Sequence, residues 1–222
     1  DLDFDDSHHG RSGRIPVRRI FSNQWPGYTK SVASALEQRG FEYLADQNGA
    51  FHDGYFPITI SNLYDRRVSA AIGYLDPQTR LRNNLHIKTE TQVTKILFEG
   101  TRAVGVVSDC RGQEQIFMAN EIILCAGAIH SPAILLRAGI GPVGHLHDMG
   151  IDVRVKRAGV GQNLMEHPAA AISAWTQPDA RLNQITRRHV HLGWRYSSNM
   201  HDAPPGDMFA IAVDKSAWHA VG

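Results

Sequence analysis

EIILCAGAIHSPAILLRAGIGP, residues 121–142, is the stretch that decides how this chain is read. Ile122, Ile123, Leu124 and Cys125 run without a polar break, the pattern of a strand covered on both faces, as in a parallel sheet. A short apolar helix follows. Ser131 is placed to accept a bond from a free first-turn N–H, Pro132 suits the first helical position, and Gly139 suits the left-handed stop. The stretch therefore reads as strand, corner and capped helix. At the carboxyl end of a parallel strand, the small side chains of Ala126, Gly127 and Ala128 let a ligand approach the backbone, as nucleotides do in open α/β sheets. Ordinary close packing of helix on strand is the competing account.

Residues 122–140 carry one charge, at Arg137, and so pass for a membrane span in a hydropathy window. Pro132, Ser131, His130 and the glycines divide them, and each half is too short to cross ~30 Å of hydrocarbon. No membrane span is expected.

Working outward, NLHIKTETQVTKILFEG from Asn84 alternates and turns at Glu99-Gly100. TRAVGVVSD continues it, and a second turn at CRGQ leads to EQIFMA. This predicts an antiparallel meander between Thr91 and Ala119. Nearer the N-terminus, GRIPVRRIF reads as a short strand. TKSVASALEQRG reads as a helix with Val32, Ala35 and Leu36 on one side and Gly40 at its stop. FEYLADQNGAFHDGYFPITI is expected to be loop with short extended pieces. Residues 61–74 are expected to be helical, capped by Ser61, with Pro77 just beyond. The segments HPAAAISAWTQ, GWRYSSN and DMFAIAVDKSAW read as strands, with Trp175, Trp194 and Trp218 in the core.

Composition limits the function classes. With 222 residues, 42% of them hydrophobic and 20% charged, the chain can bury one large core or two modest ones. A net charge of +1, with no basic block longer than Arg187-Arg188, excludes an electrostatic footprint for nucleic acid or an anionic membrane. Cys110 and Cys125 form no disulfide framework, which points to a reducing, cytoplasmic compartment. The acidic start, DLDFDDSHHG, lacks the apolar core of a signal peptide. His145 with His147, and His189 with His191, have no cysteine or carboxylate partner at a zinc-site spacing, so no metal is expected.

EIILCAGAIHSPAILLRAGIGP resembles the second signature of the glucose-methanol-choline (GMC) family of flavin oxidoreductases, E-V-I-L-x-A-G-x-x-x-S-P-x-L-L-x-x-S-G-I-G, with Ala138 where the family has Ser. HGRSGRIPV is similar to its H-G-x-x-G-P-I-x-V. NLHIKTETQVTKILFEGTRAVGV is similar to N-L-x-V-x-T-x-A-x-V-x-R-I-x-F-x-G-x-R-A-x-G-V. GVGQNLMEHP resembles G-V-G-x-N-L-x-D-H-P, with Glu166 in place of Asp. The matches keep the family's order from His9 to Pro168, with a choline-dehydrogenase-like flavour.

The resemblance implies a mixed α/β (α+β) fold. Part of a Rossmann-like FAD-binding domain carries the β-meander, beside part of a substrate domain with a mainly antiparallel sheet. The expected division is 1–83 as a substrate or intermediate region, 84–145 as the central FAD-binding part, 146–168 as a connecting loop and 169–222 as the substrate sheet. It also implies FAD as cofactor, contacted by Val93, Ala126 and Gly127, and a small alcohol as substrate. The alcohol's hydride passes to the flavin, as a dehydrogenase or an oxidase. The family's N-terminal strand with G-x-G-x-x-G and its C-terminal catalytic His region are not found. The chain is thus expected to be the middle of a longer protein, with no catalytic residue of its own and no tight hold on FAD alone. A GMC-type hydroxynitrile lyase and a folded but inert fragment are the alternatives. Asn163, Glu166 and His167 fall in a loop between cofactor and substrate parts, where a structural role is expected of His167.

Overall fold

The computed structural model describes residues 1–63, 66–181 and 189–214. In chain order its elements begin with helix α1 (Gly27–Gln38), strands β1 (Gly54–Pro57), β2 (Asn62–Leu63) and β3 (Arg66–Arg67), and helices α2 (Ala70–Tyr74) and α3 (Pro77–Arg80). Strands β4 (Thr91–Glu99), β5 (Arg102–Cys110) and β6 (Gln113–Met118) follow, then helix α4 (Gly127–Arg137), β7 (Ile140–Gly141), α5 (Val143–Asp148), β8 (Val155–Lys156), β9 (Val190–Tyr196) and β10 (Met208–Val213). The chain divides into two compact units. One comprises Asp1–Leu85 with the described part of Ala171–Gly222, the other His86–Ala170.

In the first unit, β9 lies between β1 and β10 in an antiparallel sheet. Period-two alternation sends Tyr55, Leu192, Trp194 and Ala212 to one face, where they meet Ile20, Trp25 and Leu36 in the core. Helix α1 supplies Leu36, and its end explains why the segment stops there. Gly40, at φ +86, takes the left-handed position; its N–H donates to the Glu37 carbonyl (2.9 Å) and the Phe41 N–H to the Leu36 carbonyl (3.1 Å). This is a Schellman stop, and Phe41 packs back against the core beside Leu36.

Several local expectations are corrected here. GRIPVRRIF forms no strand, only an isolated bridge between Arg18 and Ile60. Residues 61–74 are not one helix. The pairs Asn62–Arg67 and Leu63–Arg66 form a small antiparallel ladder, and α2 starts late, capped by Ser69, whose hydroxyl accepts the Ile72 N–H at 3.3 Å. Ser61 caps no helix because the four ladder residues Asn62, Leu63, Arg66 and Arg67 lie between it and α2. Pro77 opens a helix instead of closing one: the Asp76 carboxylate accepts the Thr79 N–H at 2.8 Å, and proline at the first position has no N–H to satisfy. The aromatic-rich segment 41–60, by contrast, is loop with one short extended piece, β1, as expected. Residues 168–177 form no strand, and Trp175 is 90% exposed rather than in the core. Trp194 is half-buried against the core, whereas Trp218 lies outside the described residues.

In the second unit the meander forms as the alternation and turns predict, with β5 between β4 and β6. Residues 122–125 do not form the expected central parallel strand. They have no ladder partner among the described residues; Ile123 is 76% exposed and Cys125 is exposed, while Ile122 and Leu124 are half-buried. An apolar run predicts that a segment wants cover, but a strand exists only where a neighbour offers its N–H and C=O groups. Parallel pairing among the described residues amounts to the two-residue β7–β8 ladder and an isolated bridge between Tyr43 and Tyr55. No described helix is long and apolar enough to cross a membrane.

Candidate functional site

The corner between residues 125 and 131 follows from one backbone conformation. Gly127 has φ +83, a region that an L side chain enters only at a cost. A Cβ there would meet nothing within 4 Å. Conformation, not crowding, demands the glycine, and Ala126, Gly127 and Ala128 are all exposed. The corner is therefore an open, backbone-rich surface.

Ser131 and Pro132 act differently from the sequence expectation. Helix α4 begins at Gly127, so both lie inside it. The Ser131 hydroxyl reaches back to accept the Ala126 N–H at 2.9 Å, which ties the corner to the helix. Pro132 cannot donate to the carbonyl four residues earlier, that of exposed Ala128.

Val93 lies in β4, half-buried and opposite Ser108. The ladder shifts register just after it, and the Thr94 hydroxyl donates to the Val107 carbonyl at 3.2 Å. Such a bulge re-aims the side chains around it. The start of the strand is held by Arg111, whose Nε donates to Glu90 Oε2 at 2.6 Å; both residues have positive φ. Helix α4 packs against β4. Val93 and the corner thus belong to one compact unit, and no direct contact joins them in the hydrogen-bond or ladder network.

Gly139, Gly141 and Gly144 have the spacing of a phosphate-binding fingerprint, but their surroundings do not serve a ligand. A Cβ on Gly139 would strike the Asp152 carbonyl, and one on Gly141 would lie 2.5 Å from Leu136 Cδ2. These two glycines allow internal close packing. The fingerprint's strand–turn–helix context is also missing, because a helix precedes them.

His167 and Glu166 are fully exposed, and the His167 N–H donates to the Glu166 carboxylate at 2.8 Å. Asn163 adopts φ +57. His145 and His147 are exposed on α5, and no cluster of three metal-ligating side chains occurs among the described residues. Both cysteines are free.

The first unit carries polar clusters that no motif announced. Arg19, 2% exposed, is clasped by Asp1, Asp3 and Asp46, and His9 bridges Asp6 (2.8 Å) and Asp46 (3.0 Å). Asp6 is held below the usual carboxylate range, chiefly by the N–H of His8 and then by His9. Thr29 donates to the buried Asp214, which lies 3.5 Å from His191 Nδ1. Burial raises the phenols of Tyr28, Tyr43 and Tyr55, and the charge of Asp214 adds to the effect at Tyr28. Arg195 is 4% exposed; its guanidinium carbon lies 3.7 Å from the Phe51 ring centroid and 5.3 Å from that of Phe56. The signal available in sequence was GYFPIT, where Phe56 alternates with core residues, but the Gly and Asp around it read as loop.

The GMC oxidoreductase family profile matches residues 4–169. The chain belongs to the GMC oxidoreductase family. It is 44% identical over 215 residues to a 5-(hydroxymethyl)furfural oxidase of Methylovorus sp. (strain MP688), covering 94% of this chain and 40% of that protein. It is 34% identical over 194 residues to an oxygen-dependent choline dehydrogenase of Staphylococcus saprophyticus, covering 86% and 34% respectively. Among solved structures it is similar to an FAD-dependent oxidoreductase from Chaetomium thermophilum, with a TM-score of 0.60 and 29% identity over 70% of this chain and 27% of that one. The chain therefore spans well under half the length of each. Its GMC membership accounts for the meander and the mixed α/β architecture.

Proposed function

We propose that this GMC chain is the central portion of an FAD-dependent alcohol oxidoreductase that takes hydride from a primary or secondary alcohol. The open corner at Ala126–Gly127 carries the reading. An exposed backbone turn with no side chain at Gly127 and only a methyl on either side fits a flat ring or ribose laid against it. In this reading Ala126, Gly127 and Val93 hold the adenosine half of FAD, with 84–145 as the cofactor-facing part and 146–168 as its connection. When bound, FAD supplies the hydride acceptor. The chain's own contributions are binding and orientation: the bare backbone at Gly127 receives the ring, and the bulge after Val93 sets the direction of its side chain. The group that takes the hydroxyl proton is assigned to none of these 222 residues.

The test is flavin retention. The purified chain is expected to be colourless, and the longer protein containing it yellow and bleached by a primary alcohol. In that longer protein, Gly127→Val is expected to speed FAD dissociation while turnover per bound flavin stays unchanged; Ser131→Ala is expected to lose little flavin. Equal flavin loss in both variants would remove Ala126 and Gly127 from the cofactor site. A flavin that no alcohol bleaches would remove the redox reading.

A further inference from the structure

His9 lies where two parts of the first unit meet. Its side chain is 10% exposed, and its ring is held at both ends: Nδ1 lies 2.8 Å from Asp6 Oδ1, and Nε2 lies 3.0 Å from Asp46 Oδ2. Both partners are acceptors. Asp6 Oδ1 also takes the His8 N–H at 2.8 Å, and its carboxyl is held below the usual carboxylate range, first by that N–H and then by the His9 ring. Asp46 turns its other oxygen to Arg19, whose Nε donates to Oδ1 at 3.0 Å and whose Nη2 donates to the same atom. An ionised carboxylate has no proton to offer, and a neutral imidazole has only one N–H. The ring therefore satisfies both contacts only as the imidazolium.

The surrounding charges favour the same form. Asp1 Oδ2 lies 4.0 Å from His9 Nε2, and Asp3 lies 3.7 Å from Arg19 Nη1. Asp1, Asp3, Asp6 and Asp46 thus stand against only Arg19 and the terminal ammonium, which donates to the Gly10 carbonyl. Asp5 and Arg11 pair with each other at 3.3 Å, and the His8 ring centroid is 6.5 Å from that of His9. A positive ring reduces this excess of carboxylates where the N-terminal segment meets the 41–53 loop. Phe4 fills the space behind it, its ring centroid 5.2 Å from that of His9 and 4.5 Å from the Arg19 guanidinium carbon.

We propose that His9 is a pH-operated latch. As the imidazolium it pins residues 1–10 to the 41–53 loop. Once neutral, it turns a lone pair towards one carboxylate oxygen, and the segment lifts away from Phe4 and Arg19. The contact is therefore present while the ring is protonated and lost as pH rises through its titration, with Asp6 and Asp46 remaining ionised throughout. This device is independent of the flavin and of the alcohol-oxidising reading.

NMR on the purified chain with isotope-labelled histidine tests it, with pH raised from about 5, the lower end of histidine's usual range, until the ring has lost its second proton. At the start both His9 nitrogens are expected to carry protons. The readout of the latch is hydrogen exchange at the amides of Leu2 and Arg19, which donate to the Val17 carbonyl at 2.8 Å and to the Asp3 carboxylate. Their protection, corrected for intrinsic exchange, is expected to fall about tenfold as the second proton leaves, the order of one charge-assisted hydrogen bond. His9→Gln, which cannot carry the charge, is expected to show the low protection at every pH, whereas His8→Gln keeps the wild-type profile. Asp6→Asn removes one charged acceptor and is expected to move the fall to lower pH. Thermal melting of each variant identifies a fold defect, and the wild-type ring spectrum needs no variant. A ring carrying one proton while both amides are fully protected overturns the proposal, as does a pH profile unchanged in His9→Gln or lost in His8→Gln.

Discussion

The two units of the chain solve the same problem to different degrees. The first buries Ile20, Trp25, Leu36, Tyr55, Phe56 and Leu192 around one sheet, and even places Arg19 and Arg195 out of water. In His86–Ala170, full burial among the described hydrophobics is limited to Ile96, Val107, Ile134 and Leu146, while Ile116, Met118, Ile123 and Ile129 are each more than half exposed. Both contain a three-stranded antiparallel sheet of similar alternation. The difference lies in cover: helix α1 closes one face in the first unit, and the shorter α4 reaches only part of β4 in the second. A sheet's stability comes from what lies against it more than from its ladder.

The contrast is broken most sharply by paired truncations. Leu192→Ala is expected to destabilise the first unit by about 2–5 kcal/mol, because a fully buried side chain leaves a cavity. Ile123→Ala is expected to change stability by no more than about 0.5 kcal/mol, as an exposed position should. Denaturant unfolding of the two variants measures both, and a large effect at Ile123 would show that the 122–125 run is covered after all.

A smaller effect is expected at the corner. Gly127→Val forces a β-branched residue to φ +83 and is expected to cost about 1–2 kcal/mol. Ser131→Ala removes one hydrogen bond and is expected to cost about 0.5–1.5 kcal/mol. Hydrogen exchange of the Ala126 amide separates them: Ser131→Ala should deprotect it selectively, and no change there would mean that the hydroxyl does not hold the corner.

The smallest effect is a pH dependence in the first unit. Asp76 is held below the usual carboxylate value of 3.8, first by the Thr79 N–H it accepts and also by the charge of Arg14. A folded-state value below the unfolded one means stability present above the unfolded value and lost as pH falls through the folded one. Melting of wild type is therefore expected to fall in that acid window, and Asp76→Asn to lack this component. Identical acid profiles for the two proteins would assign the drop to other carboxylates, such as Asp207, which is lowered by the Ser198 N–H.

Local signals were legible where they were self-sufficient. The meander from Thr91 needs only alternation and two turns, and the end of α1 needs only a glycine that can take positive φ. The family's motifs were legible as well, because their spacing survives in the bare chain. Alternation in GYFPIT and MFAIAV placed no residue on a particular face, since register with β9 was needed to bring Phe56, Gly193 and Phe209 together. Likewise, the apolar run at 122–125 announced a need for cover without supplying it.

What the sequence by itself determined is the set of local conformations and the family: helix stops at Gly40 and Gly139, the β-meander, the small-residue corner and the GMC signatures. Only the tertiary structure decided which of those features are buried and what meets across the strands. It moved Ser131 and Pro132 into the helix, left Trp175 in solvent, and set Arg195 beneath two phenylalanine rings. The physical reason is range. Dihedral preference and hydrogen-bond periodicity act within a few residues, whereas cover and charge compensation depend on partners such as Gln47 and Arg195, nearly 150 positions apart in the chain.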